Sequence, residues 1–584
     1  PPPPTLPLPL ACSSSLSSPS RSSLPLSPFP SLPPHRHPLP TSCPLSLSHT
    51  LLPFLLPLPL HLTPHLPSLP PSCPLSLDSS LSLFPPPLMS PPRIKRPRSP
   101  AHRPPPSSPT SPVGPEALYG YYASSWAVCQ TDETFPKHGE PASFVETRIR
   151  NYSLLDFKPQ LNTASYINVV AEPEEQSVAL SGLAVNIADQ TVYPGSMKCH
   201  NDALNMVASL WHCPKPPSFI EHGCYPGAGT VGSTEACLLA GLAMKFRWRK
   251  WYASKNGMNE AQVRREYPNL VISTLYQACW EKLFKYMDVE PRFAPVSVES
   301  FCIDPSTLAG LVDDHTIGVV CILGNHYAGQ YDPVAEVGKE LEALNQKHGW
   351  QVGIHVDAAS GGFIAPFQHG LEPFDFRVPQ VLSINGSGHK FGQSCCGTGW
   401  IVWRQRQDLS DHVSVMVSYL GGKAESYTLN FSRPMTGINV QLYKFYRLGR
   451  EGYTRLCSNM MTTAAIIRKG LASFRDEESG KPTFRMLDAG DVGCLPVVAA
   501  MLNPELEWSY DSIDMQHVLA QSHWYVSGYS MSFTHPVSAS LATRASHVWP
   551  WTLSALAGAI ARRSRPCAVL GSRGVNRLVP HQNV

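Results

Sequence analysis

The chain has 16 cysteines over 584 residues but no Cys-x-x-Cys pair, and only Cys395-Cys396 are adjacent. No His/Cys cluster shows ligand spacing, which excludes a zinc ribbon or finger and predicts no metal. Scattered single thiols predict a reducing, cytoplasm-like setting rather than a disulfide framework. Long apolar runs are also missing. The stretch TLLPFLLPLPLHL, 50–62, is short and broken by proline, so no membrane anchor is expected. Charge is sparse: a net +3 on this length excludes the broad basic footprint of a nucleic-acid binder. No Gly-Lys-Ser/Thr closes a glycine-rich turn, which excludes a P-loop.

What is abundant up to about residue 115 is Pro, Ser, Leu and His, as in PLSPFPSLPPHRHPLP, with few acidic residues. Proline removes backbone donors and fixes φ, so neither helix nor ladder propagates, and residues 1–115 are expected to be a disordered arm. Its PxxP strings permit SH3- or WW-type partners. His35 and His37 lie in this arm, and the basic run RIKRPRSPAHR, 93–103, reads as a solvated linker. Pro1 opens the sequence without a basic, then apolar, leader, so no secretory signal is read. A targeting segment and a gene-model artefact both stay open as readings of the arm.

From about residue 116 the sequence mixes apolar, charged and aromatic residues. IGVVCILG, 317–324, predicts a buried strand, VAEVGKELEALNQKHGW, 334–350, a helix, and GIHVDAA, 353–359, a second strand. Strand–helix–strand units demand parallel pairing inside helical layers, so the class is α/β. VISTLY (271–276), VLSIN (381–385) and GWIVWR (399–404) are further strand candidates. Ligands in such sheets sit beyond the carboxyl ends of the strands. Asp357 ends one strand, and VLSIN leads directly into SINGSGHKFG, 383–392, with Ser387, His389 and Lys390.

A lysine amine and a carboxylate facing one crevice suit pyridoxal phosphate. The amine holds the cofactor aldehyde, and the carboxylate keeps the ring nitrogen protonated. A carboxylate closing an apolar strand is costly to bury without a cationic partner, and a pyridinium supplies one. Upstream, GCYPGAGTVGSTEACLLAGLAMKFRWRK, 223–250, joins a glycine-rich turn to Ser233-Thr234-Glu235 and a run of helix formers. Backbone amides at a helix start bind phosphate, and an ordinary N-capped helix remains the alternative reading.

Together GSTEACLLAGLAMKFRWRK, QACWEKLFKYMDVEPR, HVDAASGGFIAPF, SINGSGHKFG and FSRPMTGINVQLYKFYRLGREGY resemble glutamate decarboxylases of the group II pyridoxal-phosphate decarboxylases, over roughly 160–533. The resemblance implies a fold type I (aspartate-aminotransferase) large domain with a mixed, mostly parallel sheet, and a small C-terminal α+β domain. It divides the chain into an N-terminal segment 116–190, a cofactor domain 191–425, an incomplete small domain 426–534 and a divergent tail 535–584. It implies a homodimer or larger assembly with shared active sites, and decarboxylation of L-glutamate to 4-aminobutyrate. Lys390 would form the Schiff base and Asp357 would pair with the ring nitrogen. Ala359 and Gln277 would lie against the two ring faces. Ser233, Thr234 and His389 would hold the phosphate, with Ser432 of FSRP reaching in from the adjacent subunit. Thr163, Asn186 and Asp189 would contact the carboxylates of glutamate.

Three departures from the family pattern stand out. His326 in GNHYAGQY replaces a hydroxyl near the cofactor, and Ala164 replaces a common aromatic. After QSHWYVSGYSMSFTHP the family has a strand bearing a carboxylate-gripping arginine, which has no evident counterpart in VSASLATRASHVWPWTLSALAGAIARRSRPCAVLGSRGV. That tail has the look of a changed reading frame or retained intron. A related decarboxylase of aspartate, cysteine sulfinate or an aromatic amino acid, or a catalytically weak interaction protein, are the competing expectations.

Overall fold

The computed structural model describes residues 135–167, 171–217, 223–297, 299–417, 424–488, 490, 493–531 and 546–552. The proline-rich arm with its basic run, and the tail outside 546–552, lie outside the described residues. In chain order the helices of the first part are α1 (Ala142–Tyr152), α2 (Pro173–Gly182) and α3 (Pro194–Leu210). The central part runs β1 (Gly227–Thr230), α4 (Ser233–Asn256), β2 (Asn269–Ser273), α5 (Ala278–Met287), β3 (Glu290–Ala294), β4 (Thr316–Ile322), α6 (Val334–His348), β5 (Ile354–Asp357), β6 (Val381–Ser387) and β7 (Gly399–Trp403).

These seven strands form one sheet in the order β1-β7-β6-β5-β4-β2-β3. The run from β6 to β3 is parallel, and β7 is antiparallel to both of its neighbours. Every residue of β4, Thr-Ile-Gly-Val-Val-Cys-Ile, is buried, as a strand covered on both faces requires. From Val319 onward its side chains alternate between two cores: Val319 and Cys321 join the one formed with α3 and α6, and Val320 and Ile322 the one formed with α4 and α5, which Ile317 also joins across a register shift against β2. The expected β–α–β unit is therefore β4–α6–β5, and α6 stops at Gly349, whose φ of +71° closes the helix.

Beyond β7, a short hairpin pairs β8 (Val415–Val417) with β9 (Ala424–Ser426), and the long helix α7 (Thr436–Ser473) is broken at Gly449, φ 59° and ψ −175°. A second sheet has the order β10 (Phe484–Met486), β11 (Val497–Leu502), β13 (Ser546–Thr552), β12 (Tyr529–Met531), with α8 (Ser512–Gln521) preceding β12. All its pairings are antiparallel. The strand β13, Ser-His-Val-Trp-Pro-Trp-Thr, is drawn from the divergent tail and contains no arginine. Among the described residues, no helix is long and apolar enough to cross a membrane.

Candidate active site

Adjacent parallel strands β5 and β6 set the geometry. Asp357, the last residue of β5, is in register with Asn385 of β6, and β6 then runs through Ser387 into the turn that carries His389 and Lys390. That turn is packed too tightly for a side chain at either of its glycines. A Cβ at Gly388 would lie 2.2 Å from Gln441 Oε1, and one at Gly392 would lie 2.6 Å from the Gly388 carbonyl. Lys390 Nζ donates to Ser360 Oγ at 3.2 Å. Burial lowers the amine below the ordinary lysine value, while Asp357 pulls it back up. An amine so placed is more often neutral, and hence nucleophilic, than a solvated lysine.

Asp357 is buried and accepts three hydrogen bonds. Trp280 Nε1 donates to Oδ2 at 2.8 Å; Asn385 Nδ2 and the Ala359 amide donate to Oδ1 at 3.1 and 3.2 Å. Behind it His355, fully buried, bonds through Nε2 to Asn385 Oδ1 at 2.9 Å and through Nδ1 to Ser383 Oγ at 2.8 Å. Burial pushes the His355 imidazole down to about 4, so it is neutral near pH 7. Two thiols complete the floor: Cys237 of α4, Cys279 of α5 and Asp357 bring their ligand-type atoms within 4.8 Å of one another. Linear spacing gave no hint of this convergence. The Cys237 thiol is pushed well up by burial, with a hydrogen bond to Cys279 adding to it.

A second group gathers at the start of α4. Ser387 Oγ donates to Ser233 Oγ at 2.7 Å, which joins the helix start to the end of β6. The N-cap is Gly232, φ +141°, which offers no side chain to its first-turn amides, so the capping alternative fails and an anion can take those donors. The backbone there is pressed against β7, since a Cβ on Gly399 would sit 2.5 Å from the Gly232 carbonyl carbon. His389 donates from Nδ1 to the Thr398 carbonyl at 2.8 Å, and its ring lies 3.4 Å from where a Gly232 Cβ would be. Thr234 is exposed. Glu235 accepts from Val231 N at 2.8 Å and from Asn430 N at 2.9 Å, tying the segment before FSRP to the helix start. Gly227, Gly229 and Gly232 do show Gly-x-Gly-x-x-Gly spacing, but β1 is an edge strand antiparallel to β7, not the first strand of a parallel β–α–β unit. The spacing therefore carries no dinucleotide reading.

Apart from Ala359, whose amide donates to Asp357, the remaining sequence candidates lie outside these bonds. Half-buried Gln277 precedes α5, and its carbonyl accepts from Trp280 N at 2.9 Å. Ala359 is half-buried directly after Asp357 and Ala358. Asn186 Nδ2 donates to Ser432 Oγ at 3.1 Å within the same chain, while its Oδ1 accepts from Ala188 N and Arg433 N. Asp189 accepts from Thr191 N and Val192 N, and buried Thr163 donates to the Tyr525 carbonyl at 3.0 Å. His326, on the loop after β4, is pushed down to about 4 by burial, with Lys390 adding to the effect. Ala164 is buried. Sequence reasoning missed Trp280, His355, Ser360, Ser383 and Asn385 as members of this centre. All five stood inside quoted motifs, but only the tertiary structure shows what they touch.

A buried amine, a buried carboxylate that only accepts hydrogen bonds, and an uncapped helix start fit the aldehyde, ring nitrogen and phosphate of pyridoxal phosphate. Comparison with known proteins agrees. Residues 147–479 match the family model described as the pyridoxal-dependent decarboxylase conserved domain. The chain belongs to this family. It is 37% identical over 370 residues to a probable glutamate decarboxylase gamma of Listeria innocua, covering 63% of this chain and 75% of that protein. It is 35% identical over 417 residues to glutamate decarboxylase 5 of Arabidopsis thaliana, covering 71% and 80%. Among solved structures, a Lactobacillus brevis glutamate decarboxylase superposes with TM-score 0.65 at 32% identity, covering 75% of this chain and 94% of that one. The large mixed sheet and smaller C-terminal α+β elements are thus the fold type I architecture of pyridoxal-phosphate decarboxylases. The protein binds pyridoxal phosphate and is a decarboxylase of this family acting on an amino-acid substrate.

Proposed function

We propose that the chain decarboxylates L-glutamate to 4-aminobutyrate and carbon dioxide. The observation that carries this reading is the Lys390–Asp357 pair on neighbouring strand ends, in a chain whose relatives are named glutamate decarboxylases. Bound pyridoxal phosphate supplies the electron sink that accepts the bonding pair left behind by the departing carboxylate. The chain's own residues bind and orient. Lys390 would hold the cofactor aldehyde, yield it to the substrate amine, and take it back at the end of each turnover as the product amine leaves. Asp357 faces the ring nitrogen; Ala359 and Gln277 flank the ring. Ser233, Thr234 and His389 hold the phosphate beside the first-turn amides of α4, and Ser432 adds a hydroxyl from a neighbouring subunit of a homo-oligomer. Thr163, Asn186 and Asp189 meet the substrate carboxylates. One proton takes the place of the carboxylate on the α-carbon, so each turnover consumes one proton. The cofactor domain is then 191–425, the small domain 426–534, and the enzyme works in the cytoplasm.

His326 and Ala164 favour a second reading, in which the substrate mouth has shifted toward a related amino acid such as aspartate, cysteine sulfinate or an aromatic. The test is carbon dioxide release from that panel and glutamate by the purified full chain, alongside absorption of the cofactor bound at Lys390. Release fastest from glutamate supports the proposal. Release only from another amino acid moves the assignment to that substrate, and cofactor bound without any release sinks the glutamate reading.

A further inference from the structure

Behind Asp357 the hydrogen bonds have a forced direction. Ionised Asp357 offers only acceptors, so Asn385 must turn its amide N–H toward Oδ1, as observed at 3.1 Å. The amide carbonyl is then left facing His355 Nε2 at 2.9 Å, and a carbonyl can be met only by an N–H. The neutral ring therefore carries its proton on Nε2, and Nδ1 is the acceptor for the Ser383 hydroxyl at 2.8 Å. Ser383, His355 and Asn385 each donate toward the carboxylate. All three are 0–1% exposed, so water cannot substitute for any link. The loop is closed by Trp280, whose ring packs edge-on to His355 at 5.5 Å between centroids and whose Nε1 donates to Asp357 Oδ2.

We propose that His355 and Asn385 are positioning residues for Asp357: the Nε2–H of His355 locks the Asn385 amide so that its N–H, and never its carbonyl, meets the carboxylate. With the lock in place the carboxylate keeps its donor and its orientation toward the cofactor's ring nitrogen. Without it the amide is free to rotate, and its carbonyl then repels the carboxylate and turns it away from the ring nitrogen. Neither residue touches the cofactor in this scheme; both act through Asp357. The inference rests on the reading above that Asp357 faces the ring nitrogen.

The test uses the full chain with pyridoxal phosphate and reads cofactor affinity and the pH titration of the bound cofactor's absorption, not turnover alone. His355→Phe and Asn385→Leu are each expected to weaken cofactor binding roughly tenfold to a hundredfold, the range typical of partners standing behind a ligand, and to shift that titration. The double variant should be no worse than Asn385→Leu, because both changes break one chain. His355→Gln, which places an amide N–H near the position of Nε2–H, should restore near-normal affinity; this conservative variant also serves if the aromatic replacement does not fold. Unchanged affinity and titration in His355→Phe, with only lowered thermal stability of the cofactor-free protein, would overturn the proposal. So would additive losses in the double variant, or a folded His355→Gln protein as weak as Asn385→Leu. Asp357→Asn separates the two levels: if it binds the cofactor like the parent, the ring-nitrogen reading falls together with the proposal. If Asp357→Asn loses the cofactor while His355→Phe is silent, the proposal falls alone.

Discussion

The two halves of the candidate site are built differently. The cofactor half stands on the ends of β5 and β6 and the start of α4, where three polar side chains are held by buried partners: Asp357 by Trp280 and Asn385, Ser233 by Ser387, and Lys390 by Ser360. The proposed substrate half, Thr163, Asn186 and Asp189, lies on turns and loops, and its groups bond to backbone or, for Asn186, to the Ser432 hydroxyl. Strand ends inside a sheet cannot shift without breaking register, so they suit chemistry that needs fixed geometry. Loops tolerate exchange, and the departures at Ala164 and His326 both fall on loops.

This contrast predicts graded effects. Lys390→Ala should abolish the bound-cofactor absorption and lower the decarboxylation rate by roughly a thousandfold or more, as expected when a covalent catalyst is lost; a rate within tenfold of the parent would break the assignment. Asp357→Leu strands the buried Trp280 and Asn385 donors, at about 1–3 kcal/mol each, so urea unfolding of the cofactor-free protein should shift by several kcal/mol. A silent change would mean that the rigid half is not rigid. Protonation gives a third test. Burial holds His200, His326 and His355 at about 4 rather than the usual 6.5. Between those values the unfolded chain binds more protons than the native one, so stability contributed by these groups is full above about 6.5 and is lost as pH falls toward 4. Denaturant midpoints measured from pH 7 to 4 should fall, and His200→Asn should flatten the slope; a flat parent profile would contradict the burial argument. The smallest effect is expected in the loop half: Asn186→Ala should raise KM a few-fold, about 1 kcal/mol, and leave cofactor affinity unchanged. A loss of cofactor affinity in that variant would erase the distinction between the halves.

The β4–α6–β5 unit was legible because its apolar periods are unambiguous, and Lys390 with Asp357 was legible because an amine and a carboxylate at strand ends imply a definite chemistry. Trp280 and His355 were not. In the linear chain Trp280 is one aromatic on a helix whose apolar face already explains it, and His355 is one polar residue within an apolar run. The glycine spacing at 227–232 also shows how little a string means without its strand: the same three glycines belong to an antiparallel edge.

The sequence by itself determined the α/β class and the family and singled out Lys390 and Asp357 as candidates, because hydrophobic period and residue chemistry are local properties. Only the tertiary structure decided that Asp357 is gripped by three donors, that Ser233 meets Ser387, and that Cys237, Cys279 and Asp357 converge. Apart from the local Ala359 amide, those contacts join residues 28 to 154 positions apart, and strand order and register, which bring such distant residues together, are set by packing of the whole sheet rather than by any segment of it.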